Sequence, residues 1–215
     1  MMPSEFHQSV SEPARLLVEK GTLLYSRPQL PLDEEEWQRL EQLLHQVDYD
    51  HVIAGDSSES HSVHVARFVN DVKRPESLHA LTGEVRRIVM SEKMRRFYSH
   101  FTGTDVLCLR RCQANLLLPG DYIGLHKDQD SNPDYIATVV FHFDDHYEGG
   151  DFVTHHPAQG AKHYHPAGRS VLVNNCEIPH EVTPLSRGRR RTLACFLSTE
   201  FGDSPKARKD FKLSN

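Results

Sequence analysis

His126 and Asp128 stand two apart in LHKDQD, and a third donor, His180, follows 54 residues after His126 in IPHEVTP. On an extended strand, residues i and i+2 point to the same side, so one imidazole and one carboxylate can face one ion. Two histidines and a carboxylate on one face of an octahedral iron(II) leave three positions open for reactants. A lone His-x-Asp is more often a polar surface turn, and it is the ordered set that carries weight. Arg190 comes ten residues after His180. Its guanidinium can pair bidentately with a carboxylate. Thr192 lies two residues further along the same run and can add a hydroxyl on the same face. Arg189, Arg190 and Arg191 all compete for this role; strand alternation would turn Arg189 and Arg191 the other way, which favours Arg190.

Three segments make a resemblance specific: LLLPGDYIGLHKD, YIATVVFHFDDHYEGGDF and HEVTPLSRGRRRTLACF. Residues from about 108 to 200 resemble the catalytic core of prolyl and lysyl hydroxylases of the iron(II)/2-oxoglutarate oxygenase superfamily. The resemblance implies a double-stranded β-helix, a jelly roll with the metal at one open end. It implies His126, Asp128 and His180 as iron ligands and Arg190 as anchor of the far carboxylate of 2-oxoglutarate. The cosubstrates implied are 2-oxoglutarate and O2, with ascorbate a candidate reductant. In related enzymes a Tyr on the strand after His-x-Asp often helps bind the cosubstrate. The comparable inward face here offers Thr138, Val140 and His142, so His142 is a candidate contact; the plainer reading is a strand histidine facing core or solvent. Asn115 and Tyr122 are further pocket candidates or, equally, structural residues. Gly149 and Gly150 match the family's Glu-Gly-Gly step and read as a tight turn with positive φ. Asp128 disfavours halogenation, which needs an open position where the carboxylate would bind.

A rival cluster, His155, His156, His163 and His165, crowds THHPAQGAKHYHP. Histidines at this density can build a cupin-type or zinc site. The segment contains Pro and Gly, reads as a hairpin and has no carboxylate following at a useful spacing, so surface histidines near the pocket mouth are the better reading.

These residues need a scaffold. From about residue 104 the chain breaks into short β-type runs separated by turn signals, the pattern of a sandwich or jelly roll. Helices precede the strands, which predicts an α+β fold with N-terminal helices supporting one sheet. Residues 1–21 read as a flexible arm, and 22–215 as one oxygenase domain with a helical support region at 22–103 and a jelly-roll core at 104–201. Within the support region, 22–30 reads as a short strand. Asp33 and Glu36 form a capping box before a helix carrying Trp37, Leu40, Leu43, Leu44 and Val47. Residues 51–62 read as a loop and 61–70 as a strand. One long helix is expected over 76–101, with Pro75 near its first turn and Leu78, Leu81, Val85, Ile88, Val89 and Phe97 on its apolar face.

The chain has 215 residues, enough for one domain with a full core. No run is long and apolar enough to span a bilayer, and the first twenty residues lack a signal-peptide pattern, so a cytoplasmic protein without membrane contact is expected. Four cysteines without a C-x-x-C pair read as reduced, packed thiols.

The expected reaction is hydroxylation of an unactivated C–H bond with release of succinate and CO2. A small molecule such as a free amino acid is the first choice of substrate, and a prolyl or lysyl residue in a protein the second. HKDQD also resembles the start of alkylation-repair oxygenases, but the net charge of −5 and the HEVTP ending speak against nucleic acid. A non-catalytic jelly-roll binding module is the remaining alternative. Oligomeric state has no signature in the sequence.

Overall fold

A computed structural model describes residues 11–55, 60–71 and 75–199. The chain begins with α1 (Glu12–Lys20), β1 (Thr22–Tyr25), a 3-10 turn at Arg27–Gln29, and α2 (Glu34–His45). Next come β2 (Asp50–Gly55), β3 (Ser60–Asp71), β4 (Pro75–Ser77), α3 (Thr82–Val89) and α4 (Glu92–Thr102). The second half holds β5 (Cys108–Leu117), β6 (Tyr122–His126), α5 (Asp128–Ser131), β7 (Ala137–His142), β8 (Glu148–Gly149) and β9 (Phe152–His156). It ends with β10 (Gly160–Tyr164), β11 (Ser170–Asn174), β12 (His180–Val182), β13 (Leu185–Arg187) and β14 (Arg190–Ser198).

The strands follow one another in the order β1-β11-β7-β14-β5-β3-β6-β12-β9-β10, with β2 and β4 added to β3. The first six form a large antiparallel sheet and the last four a smaller one, joined where β3 pairs with β6. This curled half-barrel is the expected jelly roll. Alternation on each strand separates two environments. On β14, Leu193, Cys195 and Leu197 join the core beneath the helices, while Thr192, Ala194 and Phe196 line the cavity between the sheets. On β7, Ala137, Val139 and Phe141 face the core, while Thr138 and Val140 line the cavity.

The capping box is present: Glu36 N–H donates to Asp33 Oδ1 at 2.9 Å, and Asp33 N–H to Glu36 Oε2 at 3.0 Å. It starts α2 at the register that buries Trp37, Leu40, Leu43 and Leu44. Trp37 then packs against Phe141 and Phe143 with ring centroids 6.1 and 5.4 Å apart, fixing the helix to the back of β7.

The support region departs from expectation in four places. Glu12–Lys20 is a helix, not an arm: Ser11 caps it, Pro13 sits in its first turn, and Gly21 ends it at φ 76° with its N–H on Leu17 O. Residues 1–10 lie outside the described residues. Asp50–Gly55 is a strand, because β3 extends as a template that Val52 and its neighbours can pair with; 56–59 lie outside the described residues. The helix expected over 76–101 is two helices, since Ser91 is extended (φ −58°, ψ 157°) and restarts the chain at Glu92. Pro75 is in β4, paired with Asp71, because its missing N–H suits a short outer strand. Leu78 consequently leaves the apolar stripe and is exposed.

Among the described residues, no helix is long and apolar enough to cross a membrane. All four cysteines are buried free thiols, with Cys112 and Cys195 Sγ 3.8 Å apart on paired residues of β5 and β14.

Candidate active site

His126 ends β6 and His180 begins β12, and the two residues are register partners in the antiparallel ladder between them. Their rings lie 4.4 Å apart between centroids. Asp128 is not on the strand. It opens α5, after an extended Lys127 (φ −115°, ψ 139°) that carries the i to i+2 relationship over the strand end. The two-residue spacing therefore delivers the expected geometry by one extended residue and one helical turn. His126 Nε2 and His180 Nε2 each lie 3.6 Å from Asp128 Oδ1.

Both rings are held from behind. His126 Nδ1 lies 2.8 Å from Gly124 O, and His180 Nδ1 lies 2.9 Å from Ile178 O. A carbonyl only accepts, so a proton on each Nδ1 satisfies these contacts and leaves each Nε2 as the atom directed at Asp128 and at a metal; Asn174 Nδ2 also lies 3.1 Å from His180 Nδ1. Burial holds the His180 imidazole below its ordinary value, although Asp128 pulls the other way. Burial alone would raise Asp128, but the charges of His180 and His126 and the hydroxyl of Thr138 outweigh it and keep the carboxyl well below the usual range. The carboxylate is thus held ionised, the form in which it can serve a divalent metal as a donor.

The triad opens into a cavity of about 130 Å³, lined by Val63, Val65, Val140, Phe152 and Val182 among others. At its far end, Arg190 is 3% exposed and also lines the cavity. Its Nε has no partner among the described residues. Burial lowers its pKa, and the Tyr147 hydroxyl faces it as a polar neighbour. A buried cation aimed into a cavity calls for an anion. Gly150, at φ 64°, makes room: a Cβ there would meet Arg190 Cδ at 3.2 Å and Leu185 Cδ1 at 2.9 Å. Gly149 (φ 71°) passes so close to Pro184 O that a Cβ would lie 2.4 Å away. Arg189 is exposed beside Asp144, and Arg191 points to the helix side, with its Nε and Nη2 on Asp144 at 3.1 and 2.9 Å.

Thr192 is buried in the cavity wall. His142 is its register partner on β7, on the face shared by Thr138 and Val140; it is buried and is not among the cavity-lining residues, with neither ring nitrogen bonded among the described residues. Burial, reinforced by Arg190, keeps this imidazole well below its ordinary pKa. Asn115 lines the cavity, whereas Tyr122 donates or accepts at Ser60 Oγ instead. Tyr147, Arg67, Arg111 and Gln113 were not singled out from the sequence. The i, i+2, i+4 pattern of Arg111, Gln113 and Asn115 was the available signal.

The histidine-rich hairpin forms as β9 and β10. Its rings are engaged with carboxylates: His155 with Glu181 at 2.8 Å, and His165 and His163 with Asp151 at 2.7 and 3.5 Å. Carboxylates are thus near, Asp151 from upstream and Glu181 from downstream on β12. Among the described residues, one further group has metal-ligand types close together, namely His51, His64 and Asp121. Its two rings stack at 4.2 Å with only 5° between planes. Parallel rings cannot both hold one ion in plane, so this group serves as a turn lock: Ser62, His64 and Leu118 N–H all bind the Asp121 carboxylate.

A family model described as the 2OG-Fe(II) oxygenase superfamily matches residues 112–198. No curated protein matches the chain. Among solved structures, an oxidoreductase of the 2OG-Fe(II) oxygenase family from Burkholderia pseudomallei is 30% identical, with TM-score 0.81, covering 91% of this chain and 93% of that one. HygX from Streptomyces hygroscopicus, solved with nickel and 2-oxoglutarate bound, is 10% identical with TM-score 0.62 over 90% of this chain and 89% of its own. A prolyl hydroxylase from Trichoplax adhaerens, solved with a hypoxia inducible factor peptide, is 14% identical with TM-score 0.64 over 86% and 87%. The last two likenesses concern the fold.

Proposed function

The chain belongs to the 2OG-Fe(II) oxygenase family, and from that premise we propose that it hydroxylates a C–H bond of a small molecule in the cavity between its two sheets. It is a 2-oxoglutarate-dependent dioxygenase, using Fe(II), 2-oxoglutarate and O2. The observation that carries the site assignment is the approach of two imidazole Nε2 atoms to one oxygen of Asp128, each at 3.6 Å.

In this reading His126, Asp128 and His180 hold the iron. The group, when bound with its cosubstrates, supplies an oxidant strong enough for an unactivated C–H bond and yields succinate and CO2. The protein's own part is positional. Gly124 O and Ile178 O hold the two imidazoles in orientation from their Nδ1 side. Arg190 pairs with the far carboxylate of 2-oxoglutarate, Thr192 adds a hydroxyl, and His142 is a neighbour at the same inner end. Phe152, Val140 and Val182 keep water from the reacting bond.

We read residues 22–215 as one oxygenase domain. A cytoplasmic setting is part of the proposal, supported by four free thiols. Prolyl or lysyl residues of a protein are the second substrate class.

Anaerobic addition of Fe(II) and then 2-oxoglutarate should produce a weak visible charge-transfer band in the wild-type protein. Folded protein with no band would overturn the oxygenase site. A succinate-release screen over amino acids and over Pro- or Lys-containing peptides, with mass analysis for one added oxygen, then chooses the substrate class. Oxygen gained only by peptides would replace the small-molecule reading.

A further inference from the structure

Two arginines in the cavity wall have no task in the site described above. Arg67 on β3 and Arg111 on β5 both line the cavity and are half-buried. Arg111 lies over the Phe196 ring at 5.0 Å and donates from Nε to Gln113 Oε1 at 2.8 Å. Gln113 in turn donates to Asn115 Oδ1 at 2.8 Å, so the row is pre-ordered. Among the described residues neither guanidinium has a carboxylate in salt-bridge contact. Burial lowers the Arg67 pKa, Arg111 pushes the same way, and only the exposed Asp50 opposes them. Two like charges half-buried in one wall destabilise the chain unless a ligand offsets them.

Register separates this pair from the cosubstrate anchor. Phe196 of β14 is level with Arg111 on one side and with Thr138 on the other, and Thr138 holds Asp128. Arg67 is level with Gln113 and, through it, with Ala194. Arg190 lies six residues from Phe196 along β14, about 20 Å of extended strand. One small dicarboxylate held by Arg190 cannot also reach Arg111. The Arg111 strand is two strands from Thr138, about 10 Å across the sheet, which leaves space for a substrate between the guanidinium and the metal ligands.

We infer that Arg67 and Arg111 clamp an anionic group of the substrate, a carboxylate or a phosphate, and so aim a carbon a few bonds away at the metal site. The inference rests on the oxygenase reading and names its substrate class. Planar guanidinium forks suit either anion.

The test uses protein loaded anaerobically with Fe(II) and saturating 2-oxoglutarate, so that Arg190 is engaged and the charge-transfer band reports an intact site. Inorganic phosphate and acetate are titrated separately by calorimetry, and the tighter of the two identifies the group. Saturable binding is expected in the wild type and in Arg189→Gln. It should weaken roughly ten-fold or more in Arg67→Gln and in Arg111→Gln. Arg111→Lys, which keeps the charge, should retain part of it, separating loss of charge from loss of fold. Wild-type protein that shows the band but binds neither anion overturns the inference and leaves the oxygenase reading standing. Binding unchanged in both Gln variants, or lost equally in Arg189→Gln, also overturns it. Absence of the band in wild type defeats the underlying reading instead.

Discussion

Thr138 donates its hydroxyl to Asp128 Oδ2 across 2.5 Å, leaving Oδ1 as the oxygen that faces both histidines. The bond joins β7 of the large sheet to the turn after β6 of the small one. It fixes which carboxylate oxygen is offered to a metal before any metal arrives. Removing it should cost affinity without removing a ligand. Thr138→Val is expected to weaken Fe(II) binding by about 10- to 100-fold. His126→Ala should abolish both the charge-transfer band and succinate release, with the circular dichroism spectrum retained. Normal succinate release by His126→Ala would refute the triad.

The inner end of the cavity can be probed from two sides. Arg190→Gln removes the buried cation and should raise KM for 2-oxoglutarate by about ten-fold or more, as expected for a charge-assisted bidentate pair. Gly150→Ala attacks the same contact from the backbone. Its positive φ and its 3.2 Å approach to Arg190 Cδ predict a loss of about 1–3 kcal/mol of stability together with weaker 2-oxoglutarate binding. An unchanged KM in Arg190→Gln would move the anchor elsewhere.

Stability should depend on pH through His142. Its folded pKa lies well below the ordinary 6.5, first because of burial and then because of Arg190. The unfolded chain therefore binds a proton that the folded chain refuses. Stability is fully present above pH 6.5 and falls as the pH drops from about 6.5 toward 5. Urea unfolding of wild type and His142→Phe across that window should show a shallower slope in the variant. Identical slopes would mean that His142 is protonated in the folded protein. A raised KM for 2-oxoglutarate in the same variant would support its place beside the cosubstrate.

Trp37 tests the support of the sheet rather than the site. It is fully buried between α2 and the Phe141 and Phe143 rings. Trp37→Ala should destabilise the protein by about 3–5 kcal/mol through the cavity it leaves. Thermal unfolding measures this directly, and a melting temperature within a degree or two of wild type would contradict the packing.

Legibility followed the range of the interactions. The capping box at Asp33 and Glu36 was readable because both partners lie within one helical turn. Ser11, Pro13 and Gly21 carried an equally local signal for α1, yet a polar stretch near a terminus reads as an arm when its buried face, Ala14 and Leu17, is so small. The strand at Asp50–Gly55 was not readable, since its pairing partner β3 supplies the reason for its extension. Ser91 divides α3 from α4 within an unbroken apolar periodicity, because each helix packs separately.

The sequence by itself determined the donor types, their order along the chain, the alternation that favours Arg190 over its neighbours, and the glycines that need positive φ. These are properties of nearby residues and of backbone geometry. Only the tertiary structure decided that Asp128 leaves the strand and is steadied by Thr138, that Tyr147 reaches Arg190, and that His51, His64 and Asp121 lock a turn. It alone brought Arg67 and Arg111 into one wall. Those relationships join residues on different strands, and their distances follow from the register and curvature of the sheets, which no local pattern in the chain encodes.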